Sequence, residues 1–171
     1  MTAGTAVLGR LAAGHAAGLF LAALVLGFVS SDVHAQTPKV TVESAEFLVS
    51  VGDGQGSART IAADVVPFLP NRACFGWRLK LTDAPAVIRY REVLQLPRAP
   101  AFWSGENDEY SPHRFSADRT TAITEAFAPL DDGWIGNDWC IAEGDPLGPH
   151  SIEVFIGERL ARRFEFEVRE P

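Results

Sequence analysis

The feature that most constrains the fold of this chain is the alternation of apolar and polar side chains along short segments. Between Cys74 and Thr82 every second residue is large and apolar, and glycine or a basic residue separates them. Successive side chains of a β-strand point to opposite faces, so this period of two predicts a strand with one buried and one solvated face. The apolar residues of this strand are Phe75, Trp77, Leu79 and Leu81.

The same period recurs along the chain after Pro38, and Gly, Pro and Asp separate the segments. On the apolar face of the segment after Ala86, Glu92 is the exception. No amphipathic helix of convincing length is present. Seven or eight short strands predict an all-β fold, an antiparallel two-sheet sandwich, with a closed β-barrel as the alternative. Besides 74–82, strands are predicted at 40–50 with a bulge, at 59–66, 86–96 and 122–127, near Trp139, and in a hairpin over 152–168.

The closing hairpin resembles a known kind of module. A Gly148-Pro149 approach leads into an apolar strand, a turn at Gly157 and a final Phe166-x-Val168 strand. This pattern resembles the last hairpin of immunoglobulin-like modules in exported bacterial proteins, many of unknown function. The resemblance implies an immunoglobulin-like β-sandwich and implies no activity. The antibody-type pattern is not matched, because Trp77 follows Cys74 by only three residues.

The first 35 residues have the composition of an export signal. Arg10 precedes an apolar or weakly polar run from Ala16 to Val29, and Val33-His34-Ala35 provides a small-x-small cleavage site. The run is shorter than the roughly 20 apolar residues of a spanning helix, so retention as an anchor is the alternative. We therefore expect a signal peptide at 1–35 and a single exported domain at 36–171, located in the periplasm or outside the cell.

The two cysteines fit this compartment. Disulfides form and persist outside the cytosol, and with two cysteines the pairing can only be Cys74 with Cys140. The chain contains no Cys-x-x-Cys motif, so the sequence does not indicate redox chemistry. If Phe75 and Trp77 face the core, Cys74 points outward, so we expect the disulfide to attach a loop to a sheet edge rather than cross the core.

The charge balance restricts the partners. The chain has 15 Lys and Arg against 22 Asp and Glu, a formal charge of −7. Nucleic acid and anionic membrane surfaces are bound through excess basic charge, so we expect neither as a partner. We also expect no stable membrane span after signal cleavage.

Residues that commonly bind metal ions or form recognisable catalytic motifs are scarce. Only His113 and His150 follow the signal, and no His–Cys cluster accompanies them, so we predict no metal site and no cofactor. Calcium is a weaker alternative, because the oxygen ligands at 131–138 lack the spacing of a calcium loop. No Gly-x-Ser-x-Gly motif is present. We predict no catalytic residues, and a small envelope hydrolase with an acidic site is the alternative.

Aromatic residues in irregular segments are the candidate ligand contacts. The segment 97–118 is longer than ordinary connections, and such loops are usually functional or disordered. Exposed rings in loops can stack on sugars or anchor a protein, although Trp is more often buried. We predict a non-catalytic binding or interaction module of the bacterial envelope, whose ligand is an unknown protein or polysaccharide. A carbohydrate-binding module that uses the loop aromatics is the alternative. The candidate residues are Trp103, Tyr110, Trp134 and Trp139.

Overall fold

The computed structural model of the protein describes residues 39–106 and 108–171. The expected signal peptide at 1–35 lies outside these residues. Across the described ranges, no helix has the length and apolarity needed to cross a bilayer. The strands are β1 (Thr41–Gly52), β2 (Ala58–Ala62), β3 (Val65–Pro67), β4 (Ala73–Thr82), β5 (Val87–Gln95), β6 (His113–Phe115), β7 (Thr121–Pro129), β8 (Trp134–Cys140), β9 (Gly148–Ile156) and β10 (Arg159–Arg169).

The strands form two separate sheets. The small sheet has the order β2-β1-β4-β8, and the large sheet has the order β3-β10-β9-β5-β7-β6. Both sheets end in edge strands, so within the described residues the two-sheet sandwich is confirmed and the closed barrel is wrong. The chain has ten strands there rather than the predicted seven or eight.

The two extra strands have different origins. The predicted run 59–66 is interrupted between Ala62 and Val65: β2 pairs antiparallel with β1, whereas β3 pairs parallel with β10 in the other sheet. The Glu167 amide donates to the Asp64 carbonyl at this crossing. The segment predicted to be irregular over 97–118 contains β6, which adds three residues to the edge of β7. The short strand expected near Trp139 is confirmed as β8.

The core forms between the facing layers, as the period of two predicts. Trp77 and Leu79 are at most 2% exposed, and Phe75 and Leu81 at most 5%. The Phe47 ring of β1 stacks on Phe166 of β10 at 4.6 Å between ring centroids, and this contact joins the two sheets. The predicted bulge in β1 lies between Val42 and Ser44. Burial of large apolar side chains of this kind contributes roughly 1.5–3 kcal/mol each.

The disulfide between Cys74 and Cys140 is formed. The two residues are directly opposite each other in β4 and β8, on the outward face of the small sheet. The bond therefore does not cross the core, as expected. The expected attachment of a loop was wrong, because Cys140 belongs to β8, the edge strand itself.

We expect the Cys74→Ala/Cys140→Ala double variant to be less stable than the wild type. The bond spans a sequence separation of 66 residues, and in the chain-entropy model a loop of that length stabilises the folded state by about 4 kcal/mol. Urea unfolding followed by tryptophan fluorescence measures the difference. Equal midpoints for the two proteins would contradict this account, and wild type with added reductant should reproduce the double variant.

Candidate functional site

A buried carboxylate joins the two sheets. Glu92 on β5 is fully buried. In the sequence it is the one charged residue on the apolar face of this strand. Oε1 accepts a hydrogen bond from Trp139 Nε1 at 2.6 Å, and Oε2 accepts from Asn137 Nδ2 at 3.0 Å and from Trp77 Nε1. A buried charge is tolerated when it is paired or well hydrogen-bonded, and three N–H donors from the small sheet meet that need here.

Tyr90 lies close to this carboxylate, and its pKa is shifted. The Tyr90 ring packs edge-on against Trp77 at 5.3 Å. Burial raises the pKa of Tyr90 to about 12, and the negative charges of Glu92 and Asp138 add to that effect. Tyr90 is therefore neutral over the whole physiological range.

Trp139 connects the carboxylate to an aromatic cluster beneath the loop that follows β5. Its ring lies 4.7 Å from that of His113 and 6.0 Å from that of Trp103. Trp103 stacks on Phe115 at 5.1 Å, and its Nε1 donates to the Arg119 carbonyl at 3.0 Å. His113 Nδ1 lies 2.8 Å from the Thr124 hydroxyl. Burial lowers the pKa of His113, and the Glu92 carboxylate partly offsets this effect.

The described residues of the same loop, 97–106 and 108–112, make several polar contacts with the rest of the fold. The Arg119 guanidinium forms a two-pronged ion pair with Glu106, at 2.6 Å and 3.0 Å. The Ala101 amide donates to the Gly144 carbonyl at 3.1 Å. Gly144 has a φ of +86°, and a Cβ at this position would lie 2.4 Å from the Ala101 Cβ. Only glycine therefore allows the two segments to approach this closely.

Below the loop the space is nearly filled. The cavity between the loop and the core has a volume of about 60 Å³ and is lined in part by Phe75, Leu94 and His150. This volume admits a few water molecules at most. A ligand must therefore contact the loop from its outer side.

The outer side of the loop presents aromatic and acidic groups. The Tyr110 side chain is 88% exposed and Phe102 is 53% exposed. The Tyr110 amide donates to Asp108 Oδ1 at 2.9 Å, which fixes the turn that carries the ring. Asp108 and Glu109 are exposed beside it. Tyr110 is therefore the ring that this loop exposes most, whereas Phe102 also lines the cavity beneath the loop.

The structure separates the four predicted ligand contacts. Trp103, at 7% exposure, and Trp139 lie against each other beneath the loop, and Tyr110 lies on the exposed side of the same loop. Trp134 is on the outer face of the small sheet, where the Arg78 guanidinium covers its ring at 4.5 Å. The rings therefore form no common platform. Sequence analysis did not select Phe102, although its place beside Trp103 in an irregular segment was an available signal.

The described residues contain no group of three or more His, Cys, Asp or Glu side chains placed to hold a metal ion.

The fold and the site define an immunoglobulin-like β-sandwich, and comparison with known proteins agrees. An immunoglobulin-like protein from Pseudomonas aeruginosa superposes with a TM-score of 0.51 at 18% identity, over 79% of this chain and 99% of that one. At this identity the likeness shows the fold alone. The chain belongs to the PM0630 beta sandwich domain family, whose sequence model matches residues 45–169. No curated protein matches the chain.

We expect the Glu92→Gln variant to lose roughly 2–4 kcal/mol of unfolding free energy, because an amide cannot accept from all three donors and leaves at least one buried N–H unpaired. Urea unfolding followed by tryptophan fluorescence measures this loss. Glu125→Gln on the neighbouring strand is the control, since its ion pairs with Arg89 and Arg114 are on the solvated face. Equal losses in the two variants would show that the buried hydrogen bonds contribute nothing special.

His113 and His150 make the stability of the folded protein depend on pH. Burial lowers the pKa of His150, and its hydrogen bond to the Gly148 carbonyl partly offsets this, while His113 shifts in the same direction. The unfolded chain therefore binds more protons than the folded one below the ordinary value of 6.5. Stability should fall as the pH drops through that value, by at most about 1.4 kcal/mol per pH unit for each histidine.

The His150→Asn variant tests this assignment, because its side-chain amide can still donate to the Gly148 carbonyl but does not titrate. Chemical unfolding at pH 7.5, 6.5 and 5.5 should give a shallower slope for the variant than for the wild type. Burial raises the pKa of Asp145, which gives the opposite slope at lower pH in both proteins and cancels in the comparison. Identical slopes would rule out His150 as the source.

Proposed function

We propose that this protein is an exported, non-catalytic binding module of the bacterial envelope, and that the outer side of the 97–112 loop contacts a protein partner. The observation that carries the proposal is the exposed Tyr110 ring on a loop fixed by Trp103 and by the Glu106–Arg119 ion pair. Aromatic residues dominate the energetics of many interfaces. A fixed loop loses little conformational entropy on binding.

Export is part of the proposal. The signal pattern at 1–35 and the bond between Cys74 and Cys140 both suit an oxidising compartment. The domain would then comprise residues 36–171 and face the periplasm or the exterior.

We expect the Tyr110→Ala/Phe102→Ser double variant to lose binding to an envelope protein that the wild type retains, with an affinity at least tenfold lower. Loss of exposed ring contacts at an interface commonly costs more than 1 kcal/mol per ring. The full chain is expressed in a bacterium, recovered from the periplasmic fraction, immobilised, and exposed to envelope extract. Titration of the retained protein against each variant gives the affinities.

Phe127→Ala is the matched control, because Phe127 is 74% exposed but lies on the outer face of the large sheet. Retention of the same protein by the double variant would contradict the loop assignment. Binding of purified envelope polysaccharide instead of protein would replace the proposal with the carbohydrate-binding alternative. A cytoplasmic product would contradict export, and an exported chain that does not begin at Gln36 would contradict cleavage after Ala35.

A further inference from the structure

An apolar groove lies at the end of the sandwich where the chain enters β1. Its volume is about 460 Å³, within the range of about 300–1,000 Å³ found for small-molecule sites. Val40 and Pro85 form its sides, and the nearly buried Ile88 and Ile156 form its floor. β5 begins at Val87 beside the groove and ends at Gln95 before the 97–112 loop. The groove and the loop therefore lie at opposite ends of β5.

The charged residues that line the groove are all basic: Lys39, Arg89 and Arg159. Arg159 Nη2 donates to the Val40 carbonyl at 2.6 Å, which fixes its guanidinium at the groove but does not neutralise it. Arg89 is paired with Glu125 at 2.7 Å. In the described part of the chain, neither Lys39 nor Arg159 has a carboxylate oxygen within 4.0 Å, the distance of an ion pair. Positive charge is thus concentrated here in a protein whose net charge is −7.

We propose that this groove binds a single-chain carboxylate amphiphile, that is, a fatty acid. The apolar floor takes the hydrocarbon chain, since removal of methylene groups from water is favourable. Lys39 and the free N–H groups of Arg159 bind the carboxylate, and guanidinium–carboxylate contacts are among the strongest hydrogen bonds in proteins.

The charges around the groove favour one molecule over a membrane surface. On the small-sheet side, the turns that flank this end carry Asp83, Asp131 and Asp132. An anionic bilayer wide enough to cover the groove would face these carboxylates, whereas a single carboxylate within the groove is beside Lys39 and Arg159. The proposal does not depend on the function assigned to the loop, because it concerns the other end of the sandwich.

The first test is calorimetric titration of the protein, expressed from the full chain and purified without detergent, with laurate, butyrate and dodecyltrimethylammonium below their micellar concentrations. We expect saturable binding of laurate, with one molecule per chain. Butyrate lacks the chain and dodecyltrimethylammonium lacks the anionic group, so both should bind at least tenfold more weakly. Equal affinity for laurate and dodecyltrimethylammonium, or no saturable binding of laurate, would overturn the proposal.

The second test uses variants. Lys39→Gln/Arg159→Gln should lower the affinity for laurate about tenfold, because it removes two exposed ionic contacts. Arg59→Gln/Arg162→Gln removes the same charge from exposed positions outside both the groove and the loop, and should bind laurate like the wild type. Val40→Thr keeps the side-chain shape but replaces a methyl group with a hydroxyl, and should weaken the binding of laurate.

Equal weakening by the two charge variants would mean that net charge alone attracts laurate, which would refute a site in the groove. The loop variant Tyr110→Ala/Phe102→Ser should bind laurate normally. If that variant lost laurate binding while Lys39→Gln/Arg159→Gln retained it, the site would be on the loop and the proposal would be wrong.

Discussion

The buried side chain of Glu92 is the constraint on which the rest of the structure depends. A carboxylate enclosed between two apolar layers must find donors, and here the donors are the indole and amide N–H groups of the facing sheet. Hydrophobic burial alone would hold the sheets together in many relative positions, because it is not directional. Three hydrogen bonds to one carboxylate select a single position for β8 over β5.

The position of β8 determines how the aromatic rings beneath the loop after β5 are oriented. Trp139 is held through its indole nitrogen, so its ring has a fixed orientation against Trp103 and His113. Trp103 in turn holds the loop from below, and its own nitrogen is satisfied by the Arg119 carbonyl. A contact in the centre of the sandwich thereby supports the exposed surface to which we assign partner binding. The buried Trp103 and the half-buried Trp139 of β8 provide this support, whereas the Tyr110 ring is exposed.

The period of two was sufficient to predict the sandwich, the bulge of β1 and the closing hairpin, because each depends on local alternation. It failed where the fold depends on distant pairing. The division of 59–66 into β2 and β3 follows from the parallel partner that β10 offers to Val65 and Val66, and no local pattern encodes that. In the sequence, Glu92 stands out only as the one charged residue on the apolar face of its strand. Its hydrogen-bond donors belong to other strands, so no local pattern identifies them. Whether a single ring is exposed, as Tyr110 is, or buried, as Trp103 is, likewise depends on tertiary contacts.

The two edges of the small sheet are secured very differently. All five residues of β2 are exposed, and its backbone has only β1 as a partner, whereas β8 is covalently bonded to β4 at Cys140 and held from inside through Asn137 and Trp139. Fraying of this sheet therefore begins at the β2 edge. Backbone amides there exchange with solvent through local opening, while those that β4 and β8 share require disruption of the whole core.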